Sequence, residues 1–103
     1  MTSNEFVQQL RSGKSVHCVC QAGSLVNVLS VYPYNEMYVL HWEEHHEDDY
    51  RNRRAYLRDE MRPFEETNDV LVYVESCGYP ASGFAFFSEG KLDLANSVLK
   101  SPR

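Results

Sequence analysis

The sequence has little positive charge and no long apolar run. Its 103 residues include 10 Lys and Arg against 15 Asp and Glu, which gives a formal net charge of -5. A general binder of nucleic-acid phosphates needs the opposite balance, so a strongly charged partner of this chain should be basic. The longest largely apolar stretch, Leu25–Tyr34, contains Asn27, Ser30 and Pro33. Because a membrane helix needs about 20 apolar residues, we expect no membrane span.

The sequence also lacks an even number of cysteines and a recognisable secretory signal. The three cysteines are Cys18, Cys20 and Cys77, an odd number in a chain whose 43% hydrophobic content can supply a core. This favours reduced thiols over a disulfide framework. Met1–Leu10 shows no basic region followed by an apolar one, so no signal peptide is indicated. We expect a single compact cytoplasmic domain over residues 1–103, with no cofactor.

The first part of the chain predicts a helix and two strands. Thr2 and Glu5 have the spacing of a capping box, and Gly13 can end the helix that follows. Alternation over Ser15–Gln21 predicts the first strand. Leu25–Tyr32 predicts the second strand, and because its polar residues are three apart rather than two, we expect a bulge there.

A hairpin is the firmest local prediction. Pro33–Glu36 consists of turn-forming residues, and the next apolar run, Met37–Trp42, begins immediately afterwards. The second and third strands should therefore pair antiparallel.

The segment Glu43–Glu66 differs from the rest in its high charge density. Its apolar residues Tyr50, Leu57 and Met61 recur at spacings of seven and four. That period predicts a charged central helix, either continuous or preceded by a loop, and Pro63 should end it.

The last third of the chain predicts further strands. Val70–Glu75 is interpreted as the fourth strand and Phe84–Phe87 as the fifth. Lys91–Leu94 alternates like a strand, although Asp93 could equally cap a final helix. The fold class is therefore α+β: a mainly antiparallel sheet of about five or six strands, a short N-terminal helix and one charged central helix.

Motifs for catalysis are scarce. No Gly-rich phosphate loop or G-x-S-x-G elbow is present, and His41–His45, HWEEH, is the one segment that fits an enzymatic pattern, the H-x-x-E-H of some zinc hydrolases. In that pattern two histidines one helical turn apart hold the metal. His41 ends a predicted strand, where residues four apart lie about 13 Å from each other. We therefore predict no catalytic residue and no metal site, and keep a small metal-dependent hydrolase as an alternative.

An acidic run beside aromatic residues is the best sign of function. Carboxylates steer a basic partner, and a Trp or Tyr can anchor it. The predicted partner-binding residues are Trp42, Glu43, Glu44, Glu47, Asp48, Asp49 and Tyr50. The competing interpretation is that Trp42 and Tyr50 pack in the core and the acids only maintain solubility.

In size, charge and layout the chain resembles the bacterial immunity proteins that neutralise nuclease toxins, including those of contact-dependent growth inhibition systems. Such proteins bind a basic toxin domain over or beside its active site. The resemblance implies a non-catalytic inhibitor that occludes a basic toxin, with no direct contact to nucleic acid or membrane. A phage-encoded inhibitor of a host nucleic-acid enzyme is a further alternative, because it would need the same chemistry.

Overall fold

The computed structural model describes residues 1–86, which form one antiparallel sheet with two helices. The helices are α1 (Ser3–Arg11) and α2 (Thr67–Ser76). The strands are β1 (Val16–Ala22), β2 (Leu25–Tyr34), β3 (Met37–His46), β4 (Arg58–Phe64) and β5 (Ala85–Phe86), in the sheet order β4-β3-β2-β1-β5. The predicted α+β class with a mainly antiparallel sheet is confirmed. Neither helix in this part of the chain is long and apolar enough to cross a membrane.

Helix α1 begins with the predicted capping box. The Thr2 hydroxyl accepts from the Glu5 amide at 3.1 Å, and the Glu5 carboxylate accepts from the Thr2 amide at 2.8 Å. Phe6, Val7 and Leu10 are buried on the face that packs on the sheet. The α1 prediction is confirmed because it depended only on contacts within the first turn and on helical periodicity.

The β2–β3 hairpin is confirmed, but the bulge in β2 is not. Asn35 and Glu36 form the two-residue turn, with φ angles of 56° and 67°, as a primed hairpin turn requires. The pairing from Leu25 opposite His46 to the turn is uninterrupted. Residues three apart lie on opposite faces of a regular strand, so Asn27 and Ser30 need no bulge to point in different directions.

The prediction of a charged central helix over Glu43–Glu66 is wrong. Strand β3 continues to His46, two short 3-10 turns at Glu47–Asp49 and Arg53–Ala55 follow, and β4 then returns beside β3. The supposed apolar stripe is exposed: the accessible fractions are 48% for Tyr50, 59% for Leu57 and 64% for Met61. No core lies against that stripe, so its spacing could not stabilise a helix.

The fourth predicted strand, Val70–Glu75, is also wrong, because this segment belongs to α2. Val70, Leu71 and Val74 are buried at helical spacing, whereas Val72 is 64% exposed. Packing on the sheet outweighs the strand preference of the valines. Of the fifth predicted strand, Phe84–Phe87, the structure shows Ala85–Phe86 as β5, which pairs with β1, and Phe87 lies outside the described residues. The predictions for Lys91–Leu94 and Asp93 lie outside the described residues.

The sheet has two different faces. Both helices pack on one of them, which we call the helix face, and bury a core with its strand residues Val16, Cys18, Leu29, Val31, Leu40 and Trp42. Strand alternation and the β2–β3–β4 register place two kinds of side chain on the other face, which we call the opposite face. Its polar residues are Ser30, His41, Glu43, His45 and Asp59, and its apolar residues include the buried Val26 and Val28. No helix of residues 1–86 packs on the opposite face.

Candidate functional site

The structure does not bring the predicted partner-binding residues onto one surface. Trp42 and Glu44 lie on the helix face of β3, and Glu43 lies on the opposite face. The remaining residues, Glu47, Asp48, Asp49 and Tyr50, follow the end of β3 and form a segment that we call the acidic turn. The candidate surface therefore divides into separate parts.

Trp42 is part of the core, so the structure does not place it at an interface. Its side chain is 7% exposed, and its indole N–H donates to Asn27 Oδ1 at 2.7 Å. Tyr79 packs edge-on against the indole with ring centroids 5.3 Å apart, and the Arg58 guanidinium lies 4.1 Å above it. A partner could not reach this ring without opening the core.

The acidic turn is held in place by hydrogen bonds at both ends. The Glu47 amide donates to the Ser24 carbonyl oxygen at 2.7 Å, and Gln21 Nε2 donates to Glu47 Oε2 at 2.7 Å. At the other end, the Tyr56 hydroxyl donates to the Tyr50 carbonyl oxygen at 2.7 Å. These contacts fix the turn against the β1–β2 connection and so preorganise its side chains.

The carboxylates of the acidic turn are not neutralised by neighbours. Among residues 1–86, Glu47, Asp48 and Asp49 take part in no salt bridge. Tyr50 is 48% exposed beside them, with the Arg51 guanidinium 5.1 Å from its ring centroid. The turn thus presents unpaired negative charge next to an accessible aromatic ring.

A second polar group lies on the opposite face, where β3, β4 and the second 3-10 turn meet. We call His41, Glu43, Arg53 and Asp59 the His41 cluster. His41 Nε2 donates to Asp59 Oδ1 at 2.7 Å and lies 4.0 Å from Glu43 Oε2. One terminal nitrogen of Arg53 bridges both carboxylates, at 2.7 Å from Glu43 and 3.1 Å from Asp59. The cluster therefore holds a cationic group between two carboxylates.

The contacts within the cluster shift two pKa values in opposite directions. The hydrogen bond from His41 holds the pKa of Asp59 below its usual value, and the positive charge of Arg53 acts in the same sense. The negative charge of Glu43 raises the pKa of Arg53. Sequence reasoning included Glu43 but missed Asp59 and Arg53 as its partners, because only the β3–β4 pairing brings Asp59 opposite Glu43.

The HWEEH segment does not form the helical zinc motif. The whole segment lies on β3, so Glu44 points to the helix face while His41 and His45 point to the other. His45 is 4% exposed, its Nδ1 donates to the His46 carbonyl oxygen at 2.8 Å, and its ring stacks on Tyr56. These residues cannot share one ion, because they are on a strand.

The three cysteines are free thiols. Cys18 is buried under the helices, and burial raises its pKa to about 11. Cys77 follows the end of α2 and is exposed. Cys18 is therefore a core residue, and its raised pKa makes it a poor nucleophile.

No protein-family model matches this chain, and no curated protein and no solved structure matches it either. The geometry of the acidic turn is therefore the basis of the functional proposal.

Proposed function

We propose that this protein is a non-catalytic inhibitor that binds a basic protein, such as a nuclease toxin domain, through the acidic turn. Binding would occlude the partner's nucleic-acid site, with carboxylates standing where phosphates would lie. This is the mode of action implied by the resemblance to immunity proteins.

The unpaired charge of the acidic turn carries the proposal. Glu43 is already bound by Arg53 at 2.7 Å, so a partner would have to displace that arginine to use it. Asp48 and Asp49 make no salt bridge in residues 1–86, so a basic partner gains attraction without breaking an existing ion pair. The net charge of -5 adds long-range attraction in the same direction.

Tyr50 supplies the aromatic anchor in place of the buried Trp42. Tyrosine is enriched among the residues that contribute most to protein–protein affinity, because it buries a large ring at low entropic cost. Tyr50 is 48% exposed, and its backbone is fixed by Tyr56. Little further ordering is then needed on binding, which favours a tight complex.

The test begins by isolating the partner and showing that it is inhibited. Untagged protein captures partners from source lysate at low salt, and about 1 M salt, where the Debye length is about 3 Å, elutes them. A basic protein whose nuclease activity returns on separation supports the proposal. Failure to capture any basic protein contradicts it. The identity of the partner also separates a toxin from a host enzyme blocked by a phage protein.

Charge-matched variants then locate the binding surface. The double variant Asp48→Lys/Asp49→Lys should slow association about tenfold or more and reduce its salt dependence, because long-range attraction sets the association rate. The control is Glu65→Lys/Glu66→Lys, which makes the same charge change at two exposed residues before α2. Equal losses in both variants would show that net charge, not the acidic turn, drives binding. Tyr50→Ala should mainly speed dissociation.

A further inference from the structure

We propose that His41, Glu43 and Asp59 form a binding site for a divalent transition-metal ion, best suited to Zn²⁺, and that Arg53 is its internal competitor. This inference concerns the opposite face of the sheet and does not depend on the inhibitor function of the acidic turn. It replaces the expectation that the chain has no metal site. It also differs from the HWEEH motif, because its third ligand, Asp59, comes from β4.

The donor atoms already lie close together. One nitrogen of His41 and one carboxylate oxygen each from Glu43 and Asp59 lie within 4.8 Å of one another. Ligand atoms around a tetrahedral zinc ion, with bonds of about 2.0–2.2 Å, are about 3.3–3.6 Å apart. Small rotations of these side chains are therefore enough to close the site.

The type of donor also points to zinc. An imidazole with two carboxylates is a set that Zn²⁺ binds readily, leaving a fourth position for water. Ca²⁺ and Mg²⁺ favour sites made entirely of oxygen atoms. The mixed nitrogen and oxygen set therefore selects against these two ions.

The strands hold the ligands in place. His41 and Glu43 are two residues apart on β3 and so project from the same face, about 6.5–7 Å apart along the strand. Asp59 pairs directly with Glu43 across the β3–β4 ladder. Ligands on hydrogen-bonded strands are more precisely positioned than ligands on loops.

The position of Arg53 shows that the site attracts a cation. Its guanidinium also compensates the negative charge of the two carboxylates when no metal is bound. Its guanidinium bridges the two carboxylates, and its side chain is 62% exposed. It projects from a three-residue 3-10 turn, so it can swing into solvent without disturbing the sheet. A divalent ion would bring two positive charges between the two carboxylates where Arg53 brings one, and would free the arginine.

Metal titration of the full, untagged, chelator-stripped chain tests the site. Zn²⁺ affinity is measured by competition with a chromophoric chelator, and Co²⁺ is used as a spectroscopic probe of coordination geometry. One equivalent should bind, with visible Co²⁺ bands typical of four ligands. Asp59→Asn keeps the shape of an exposed side chain and should weaken binding at least about tenfold, as should His41→Ala.

The Arg53→Met variant separates this site from incidental metal binding. Removing the competing charge should tighten Zn²⁺ binding, whereas a metal bound elsewhere would not respond. His46→Ala is the matched control, because His46 is exposed at the end of β3 and bonds Ser24 instead of the cluster. The proposal is overturned if His46→Ala, and not His41→Ala, abolishes binding. It is equally overturned if the wild type takes up no equivalent of metal or if Arg53→Met leaves the affinity unchanged.

Discussion

The two faces of the sheet use the same strands for different purposes. On the helix face, side chains such as Leu29 and Leu40 are 0–2% exposed and belong to the same buried core as Phe6 and Leu10 of α1. On the opposite face, β3 and β4 present His41, Glu43 and Asp59. His41 donates a hydrogen bond to Asp59, and Arg53 forms ion pairs with Glu43 and Asp59. Adjacent residues of β3 thus belong to very different environments.

The two faces therefore contribute differently to folding stability and to binding. Burial of apolar side chains contributes most of the free energy of folding, so the helix face should tolerate few changes. Exposed ion pairs contribute little, typically below about 1 kcal/mol. The β3–β4 part of the opposite face can therefore carry charged groups suited to binding without a large cost in stability.

The largest expected difference in unfolding free energy between the two faces comes from truncating a buried aromatic ring. Phe6 is fully buried, with its ring centroid 5.1 Å from that of Phe84. Phe6→Ala should lower the free energy of unfolding by about 3–5 kcal/mol. Met61→Ala, at a 64% exposed residue of β4, should change it by less than about 0.5 kcal/mol. Urea denaturation measures both, and similar losses would show that the β4 edge of the opposite face is packed as tightly as the helix face.

A smaller difference in stability is expected between Asn27 and Ser30, which β2 places on the helix face and on the opposite face. Asn27→Ala should cost about 1–3 kcal/mol, because it leaves the buried N–H of Trp42 without its acceptor. Ser30→Ala, on the same strand but on the opposite face, should stay within about 0.5 kcal/mol. Thermal unfolding of both variants checks this. If Trp42→Phe, which removes the donor, leaves the cost of Asn27→Ala unchanged, the hydrogen bond is not its cause.

The smallest effect is the pH dependence contributed by Asp59. Its pKa is lower in the folded protein, so its stabilising effect is present above the ordinary aspartate pKa of about 4 and is lost as the pH falls through the folded value. Asp59→Asn should therefore cost less than about 1 kcal/mol at neutral pH. The difference in Tm from the wild type should disappear near pH 2. A difference that persists there would have a cause other than the carboxylate charge.

Contacts within a few residues could be predicted from the sequence. The Thr2–Glu5 capping box and the antiparallel hairpin with its turn within Pro33–Glu36 depend on neighbours, and both predictions are confirmed, with the turn narrowed to Asn35 and Glu36. Segments whose state depends on distant packing were misassigned: α2 was interpreted as a strand and β4 as part of a helix. Periodicity in a short, charged segment is weak information, because a helix or strand of that length is stable only when another element buries one side of it.

The sequence by itself determined the α+β class, helix α1, the β2–β3 hairpin and the concentration of acidic residues between Glu43 and Asp49, because each depends on local pattern or composition. Only the tertiary structure decided that Trp42 is buried and that Asp59 and Arg53 meet Glu43. The physical reason is strand pairing: the register of β4 on β3 brings together residues 16 apart in the chain. That register is set by hydrogen bonds and by burial of one face, neither of which is visible in a local stretch of sequence.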